Sequence, residues 1–128
     1  MQYKNNPLSP HLQIYKWQIS SLLSIAHRIV GVINILAITL ICIWVSSLFL
    51  GEENYEITKL FLNSFFGKFV LISLCWTFSF HILNEIRHLA WDLGYGFDLR
   101  ISRITGIIVI IGSFVGASSI YLLSKNFI

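Results

Sequence analysis

Three long apolar runs, separated by short polar stretches, dominate the chain. They occupy about residues 29–50, 66–89 and 104–124. A helix needs about 20 mostly apolar residues to cross the hydrocarbon core of a bilayer, so each run is long enough. The first run has no charged residue, and the second has none between Lys68 and Glu85. The pattern predicts an all-α membrane protein with three transmembrane helices packed as a bundle.

The composition supports the same class of protein. The chain has 128 residues, which predicts a single domain over 1–128. It is 55% hydrophobic and only 12% charged, against about 25% charged in an ordinary soluble domain. So few charges cannot solvate a globule this apolar, and membrane lipid is the expected surrounding. The net charge of +3 requires no nucleic acid to explain it.

The distribution of Lys and Arg predicts the orientation. Cytoplasmic flanks of membrane helices carry an excess of these residues. With three crossings, one side would hold six of them and the other three: Lys4, Lys16, Arg28, Arg87, Arg100 and Arg103 against Lys59, Lys68 and Lys125. The N-terminus is therefore expected in the cytoplasm, or in the matrix of a mitochondrion.

Ionisable side chains concentrate at the end of the second apolar run, in HILNEIRHLAWD (residues 81–92). His81, Glu85 and His88 are spaced i, i+4 and i+7, so they share one helix face. Ionisable groups within a membrane helix are functional candidates by default, because burying them in lipid is costly. A neutral imidazole here could hydrogen-bond a neighbouring helix, relay protons or bind haem iron. The spacing alone leaves all three roles open.

A second polar group precedes the first apolar run, in SIAHRIVG (residues 24–31). Ser24, His27 and Arg28 are spaced i, i+3 and i+4, on adjacent helix faces. An isolated Arg28 would be typical of an anchor charge that snorkels to the interface. Together with Ser24 and His27, it favours a polar pocket for a carbonyl ligand or a buried anion such as a haem propionate.

Three motifs in order resemble a known family. SPHLQIY at 9–15, SIAHRIVG at 24–31 and HILNEIRHLAWDLGYG at 81–96 resemble the cytochrome b anchor subunit of succinate dehydrogenase, respiratory complex II. The resemblance runs over residues 9–112. It implies a three-helix bundle completed by a second small anchor subunit, in the bacterial cytoplasmic membrane or the mitochondrial inner membrane.

The resemblance also implies a haem site. His81 matches the axial ligand of haem b iron, and the second axial histidine would come from the partner anchor subunit. His27 and Arg28 match residues near the haem propionates. His88 matches a family histidine that is not an axial ligand.

A ubiquinone site is implied next to it. Ser24 and Arg28 match residues that line this site, and Ile25 and Trp17 match positions in its wall. Flavin and iron–sulfur clusters would reside only on the partner flavoprotein and iron–sulfur subunits. This chain has no flavin fingerprint and no cysteine set for a cluster. It would be a subunit of the enzyme without a complete active site, docking the soluble subunits beside a boundary formed by Arg87, His88 and Asp92.

Glu85 departs from the family pattern, which usually has glycine at that position. A glycine lets a flat macrocycle or another helix approach closely, whereas a glutamate adds bulk and charge. Glu85 therefore supports one alternative, a haem-free structural anchor of the same kind of complex. A second alternative is a small proton-relay or transport subunit, which would use the same histidines.

In the third run, Gly112 and Gly116 form a small-xxx-small face that predicts a close helix contact.

Overall fold

The structure, a computed structural model, describes residues 15–124, and all the regular secondary structure in this part of the chain is helical. Four helices follow one another: α1 (Ile19–Phe49), α2 (Glu52–Asn63), α3 (Phe65–Asp92) and α4 (Leu99–Ser124). Helices α1, α3 and α4 are long and apolar enough to cross a membrane. The predicted all-α class with three spans is confirmed. The side on which the N-terminus lies stays a prediction.

The helices extend beyond the apolar runs at the end where the polar motifs lie. Helix α1 begins at Ile19, ten residues before the first run, and α4 begins at Leu99 rather than near 104. With 31 residues, α1 is about 46 Å long at 1.5 Å per residue, longer than a hydrocarbon core. Its first turns therefore continue past the hydrocarbon, and they carry the SIAHRIVG motif as ordinary helix.

Helix α2 covers all but the first residue of the charged stretch GEENYEITK, which the pattern of apolar runs does not predict as a helix. Gly51, with φ of 108°, separates α1 from α2. Glu52 and Glu53 lie in the first turn, where acidic side chains interact favourably with the helix dipole. Ser64 ends α2 and caps α3, since its hydroxyl accepts a hydrogen bond from Gly67 N. The connection is thus a short helix that packs against α1 and α3.

Helix α3 is central and packs most extensively on α4. Small residues allow this approach. A Cβ at Gly116 would overlap the Ser79 side chain, and one at Gly112 would lie 3.1 Å from Leu83 Cδ1. The close helix contact predicted for these two glycines is confirmed, and the helix they contact is α3 of the same chain.

The core within the chain is small. Its buried apolar side chains are Leu23, Val30, Phe80 and Val109, and a Cβ at Gly106 would lie 2.8 Å from Leu23 Cδ1. In the most apolar part of α1, only 11% of the residues are buried. Most of the apolar surface therefore faces outward, as in a helix surrounded by lipid or by another membrane chain.

Candidate functional site

Three histidines from two helices meet in the cleft between α1 and α3. The His27 ring, from α1, stacks on the His81 ring, with centroids 4.4 Å apart and an interplanar angle of 18°. The centroid of His88 lies 5.3 Å from that of His27. His81 and His88 are seven residues apart, two turns along one face of α3. The structure thus joins the two polar motifs into one imidazole cluster.

Glu85 lies on the edge of this cluster. Its Oε1 is 3.0 Å from His27 Nε2 and 3.8 Å from His81 Nε2. The first contact is short, yet His27 Nε2 is a buried nitrogen without a hydrogen-bond partner. The carboxylate therefore approaches out of line with the N–H direction, and the contact is electrostatic rather than a directed hydrogen bond. Glu85 contacts histidines and does not pair with Arg87.

The donor atoms of this cluster fit metal ligation. One atom each from His27, His81 and Glu85 lies within 4.8 Å of the others. His81 Nδ1 is buried without a hydrogen-bond partner, while the side chain as a whole remains 31% exposed. Across the cleft, Gly31 leaves the space beside His81 Cε1 without a side chain. An imidazole that is open to the outside of the bundle fits the axial ligation of a haem iron shared with another chain.

Glu85 does not prevent that fit. Its side chain is 56% exposed and makes no hydrogen bond in the described part of the chain. An exposed glutamate can change rotamer at little cost. It can therefore turn aside from His81 Nε2 and leave that nitrogen accessible.

Arg87 is placed differently from the expectation. It is only 6% exposed and points between α3 and α4, where it donates to Thr105 Oγ1 and to the carbonyl and hydroxyl of Ser102. Asp92 is exposed, but Arg87 does not face outward with it, and His88 packs into the imidazole cluster. Glycine and hydroxyl residues of α4 leave room for the guanidinium between the helices.

The residues expected to bind ubiquinone lie along the start of α1. Ser24 is partly buried and Arg28 is exposed one turn later. Ile25 is 45% exposed and Trp17, just before the helix, is 53% exposed. They form an open strip rather than an enclosed pocket.

Trp17 is the only one of these residues that lines the nearby cavity. This cavity, of about 530 Å³, lies between the beginnings of α1 and α4, and its polar lining includes Lys16, Ser102 and Arg103. The sequence places Lys16 and Arg103 among the flanking cations but predicts no binding site that contains them or Ser102. The proximity of the two helix starts, which brings them together, is not visible in local spacing.

Another missed residue supports the imidazole cluster. Asn84 is completely buried, and its Nδ2 lies 3.4 Å from His88 Nε2. Its position four residues before His88 was the available signal. Of the SPHLQIY motif, only Tyr15 lies within the described residues, and its hydroxyl is 2.9 Å from Ser21 Oγ.

The fold and the site together define a multi-pass membrane protein with a histidine cluster and cations at one end of the bundle. Residues 2–120 match the family described as succinate dehydrogenase/fumarate reductase transmembrane subunit. The chain is 41% identical over 111 residues to the succinate dehydrogenase cytochrome b556 subunit of Rickettsia felis, covering 87% of this chain and 86% of the relative. The chain belongs to the succinate dehydrogenase/fumarate reductase transmembrane subunit family.

More distant relatives carry related names. The cytochrome b556 subunit of Paracoccus denitrificans is 32% identical, over 87% of this chain and 85% of its own length. The mitochondrial cytochrome b560 subunit of Mus musculus is 36% identical, over 84% of this chain and 64% of its own length. The chain is accordingly a multi-pass protein of the inner membrane, and its relatives are subunits of an oxidoreductase complex.

Proposed function

We propose that this chain is the cytochrome b anchor of a succinate:ubiquinone oxidoreductase, with His81 as one axial ligand of a haem b shared with a second small anchor subunit. The observation that supports this proposal most directly is the stacking of His27 on His81 in the α1–α3 cleft. This contact brings the two family motifs together at one site. The names of the relatives support the complex. The bound haem would supply a one-electron carrier within the membrane.

The chain's own residues would hold that group. His81 would offer a ring nitrogen to the iron, and stacking on His27 would restrict the orientation of its ring. His27 and Arg28 follow one another on α1, and a guanidinium and an imidazole are suitable donors to propionate carboxylates. His88, hydrogen-bonded to the buried Asn84, keeps a structural role.

The ubiquinone site occupies the strip at the start of α1. Quinone reduction places developing charge on a carbonyl oxygen, and donors or cations nearby stabilise that charge. Arg28 supplies a permanent cation with five donors, and Ser24 supplies a hydroxyl one turn away. Ile25 and Trp17 offer apolar surface to the ring and the isoprenoid tail. Because Ile25 and Trp17 are exposed, the iron–sulfur subunit and the partner anchor subunit would form the rest of the wall of the quinone site.

The experiment that tests this function compares two acceptors in the assembled complex. Ser24→Ala and Arg28→Leu should each lower succinate–ubiquinone turnover by about 10-fold or more, a typical cost of losing a donor to developing charge. Succinate oxidation by a soluble artificial acceptor bypasses the membrane site and should be retained. Ser46→Ala and Lys68→Leu, at the other end of the bundle, are matched controls and should leave both activities unchanged.

Two results would count against this assignment. Normal ubiquinone reduction in both variants would exclude the strip as the quinone site. Loss of both activities together would assign Arg28 to assembly with the soluble subunits instead.

A haem-free anchor is the second candidate, and Glu85 is the observation that favours it. Its carboxylate lies 3.8 Å from the very nitrogen that would bind iron. In that case the cluster would be a packed polar contact between α1 and α3. An optical spectrum of the purified complex separates the two candidates.

A further inference from the structure

Arg87 is a buried cation in the described bundle. Its side chain lies against the Trp91 ring, with Cζ 4.1 Å from the ring centroid. Nε donates to Thr105 Oγ1 at 3.2 Å, and Nη2 donates to the carbonyl and hydroxyl oxygens of Ser102 at 3.0 Å each. All these partners are neutral. Within residues 15–124, Nη1 makes no hydrogen bond to a side chain or backbone.

No acidic side chain of the chain neutralises Arg87. All six Asp and Glu residues lie between positions 52 and 98, within the described residues, and none forms an ion pair with it. Glu85, two residues away, instead contacts His27 and His81. A buried charge is costly unless it is paired. The surroundings of Arg87 therefore favour an anion supplied from outside the chain.

A groove on the α3–α4 face leads to this guanidinium. It has a volume of about 300 Å³. One end is lined by Arg87, Trp91 and Tyr95, at the end of α3 where the chain leaves the membrane. Deeper along both helices, the lining is apolar: Leu83, Ile86, Ile108 and Val109. The groove thus has a cationic, aromatic end at the interface and an apolar end within the hydrocarbon.

The groove opens on a different side of α3 from the His27–His81 pair, although Trp91, which lines it, also packs edge-on against His88, with ring centroids 5.2 Å apart. Six residues at 3.6 per turn place Arg87 roughly 120° around α3 from His81. The inference therefore does not depend on the haem or quinone assignments. The exposed Arg100 and Arg103 lie at the same end of α4 and add positive potential there.

We propose that this groove binds an anionic phospholipid, with its phosphate on Arg87 and one acyl chain along the apolar part of α3 and α4. Charge complementarity selects the head group, and the apolar lining accommodates the chain. Tyr95 and Trp91 are of the amphipathic aromatic type that occupies the head-group level of a bilayer. A zwitterionic lipid offers the same chain with no net charge and should bind less tightly.

The test uses the whole complex, purified in detergent and stripped of lipid. Native mass spectrometry with added phosphatidylglycerol should show one tightly bound molecule that equal phosphatidylcholine does not displace. Ala90→Phe fills the groove but keeps Arg87 in place. It should abolish the tight binding of phosphatidylglycerol. Arg87→Gln should weaken phosphatidylglycerol binding by about 10-fold or more and remove the preference over phosphatidylcholine. Val115→Phe, at an outward-facing position on α4, is the matched control and should retain the lipid.

Ala90→Phe keeps the test decisive even if Arg87→Gln fails to assemble. Retention of phosphatidylglycerol by both groove variants would overturn the proposal. So would equal binding of phosphatidylcholine, displacement by ubiquinone, or full competition by inorganic phosphate alone. Absence of any tightly bound phosphatidylglycerol in the wild-type complex would also overturn it, because another subunit would then cover the groove.

Discussion

At the scale of single residues, Glu85 is the most informative position. The sequence indicates that Glu85 shares a face of α3 with His81 and His88, because i, i+4 spacing is fixed by the helix. It does not indicate that His27 of α1 comes to 3.0 Å from the same carboxylate. Contacts between helices depend on packing angles and on small residues elsewhere in the chain. The sequence therefore predicts which residues share a face of α3, but it predicts neither the distances between α1 and α3 nor the supporting contact of Asn84.

Glu85→Gln tests whether this carboxylate acts on the haem. A negative charge near the iron stabilises the oxidised, more positive state, so its removal should raise the midpoint potential. We expect an upward shift of roughly 20–60 mV, since the carboxylate is half exposed and partly screened. A spectroelectrochemical titration of the purified complex measures the shift. Glu56→Gln on α2 is the control, and a potential equal to the wild-type value in Glu85→Gln would contradict this role.

At the scale of helices, hydrophobic runs predicted α1, α3 and α4 but missed α2. The apolar runs identify the parts of helices that lie in the hydrocarbon, and the ends of α1 and α4 extend beyond it into polar sequence. The apolar side chains of α2, Ile57, Leu60 and Phe61, are three and four residues apart, as expected of an interfacial helix. The charges of GEENYEITK keep this segment from forming an apolar run, so a search for apolar runs does not detect the helix.

Gly116→Leu tests the contact between α3 and α4. A side chain at this position must displace Ser79, and overpacking costs about 1–3 kcal/mol. We expect a lower melting temperature of the purified complex, followed by loss of the optical and enzymatic signals together. Val115→Leu is the matched control, because Val115 is 62% exposed. Equal melting temperatures in the two variants would show that the helices do not meet closely at Gly116.

At the scale of the whole molecule, the described bundle buries few of its own apolar residues. In the most apolar parts of α3 and α4, only 22% of the residues are buried. A soluble protein rarely exposes this much contiguous apolar surface. The surface fits membrane lipid, and membership of a family of transmembrane subunits agrees with that.

The predicted topology can be tested by cysteine-accessibility labelling. Cysteines placed near Lys4 and Arg100 should react with an impermeant reagent from the cytoplasmic or matrix side. A cysteine near Glu53, in α2, should react from the opposite side, since α1 crosses the membrane between them. Labelling of the Lys4 and Arg100 positions from opposite sides would rule out this arrangement. Lys4 lies outside the described residues, so the side expected for the N-terminus rests on the charge distribution alone.

The central proposal is that this chain anchors succinate:ubiquinone oxidoreductase and supplies one ligand of its haem b. The most direct measurement is the dithionite-reduced minus oxidised absorption spectrum of the complex purified through a tag on this chain. Wild type and His88→Ala should show a b-type, low-spin haem, because His88 is not an axial ligand. In His81→Ala the signal should be lost or converted to a high-spin form. An unaltered low-spin bis-histidine spectrum in the His81→Ala complex, or no haem in the wild-type complex, would contradict the account.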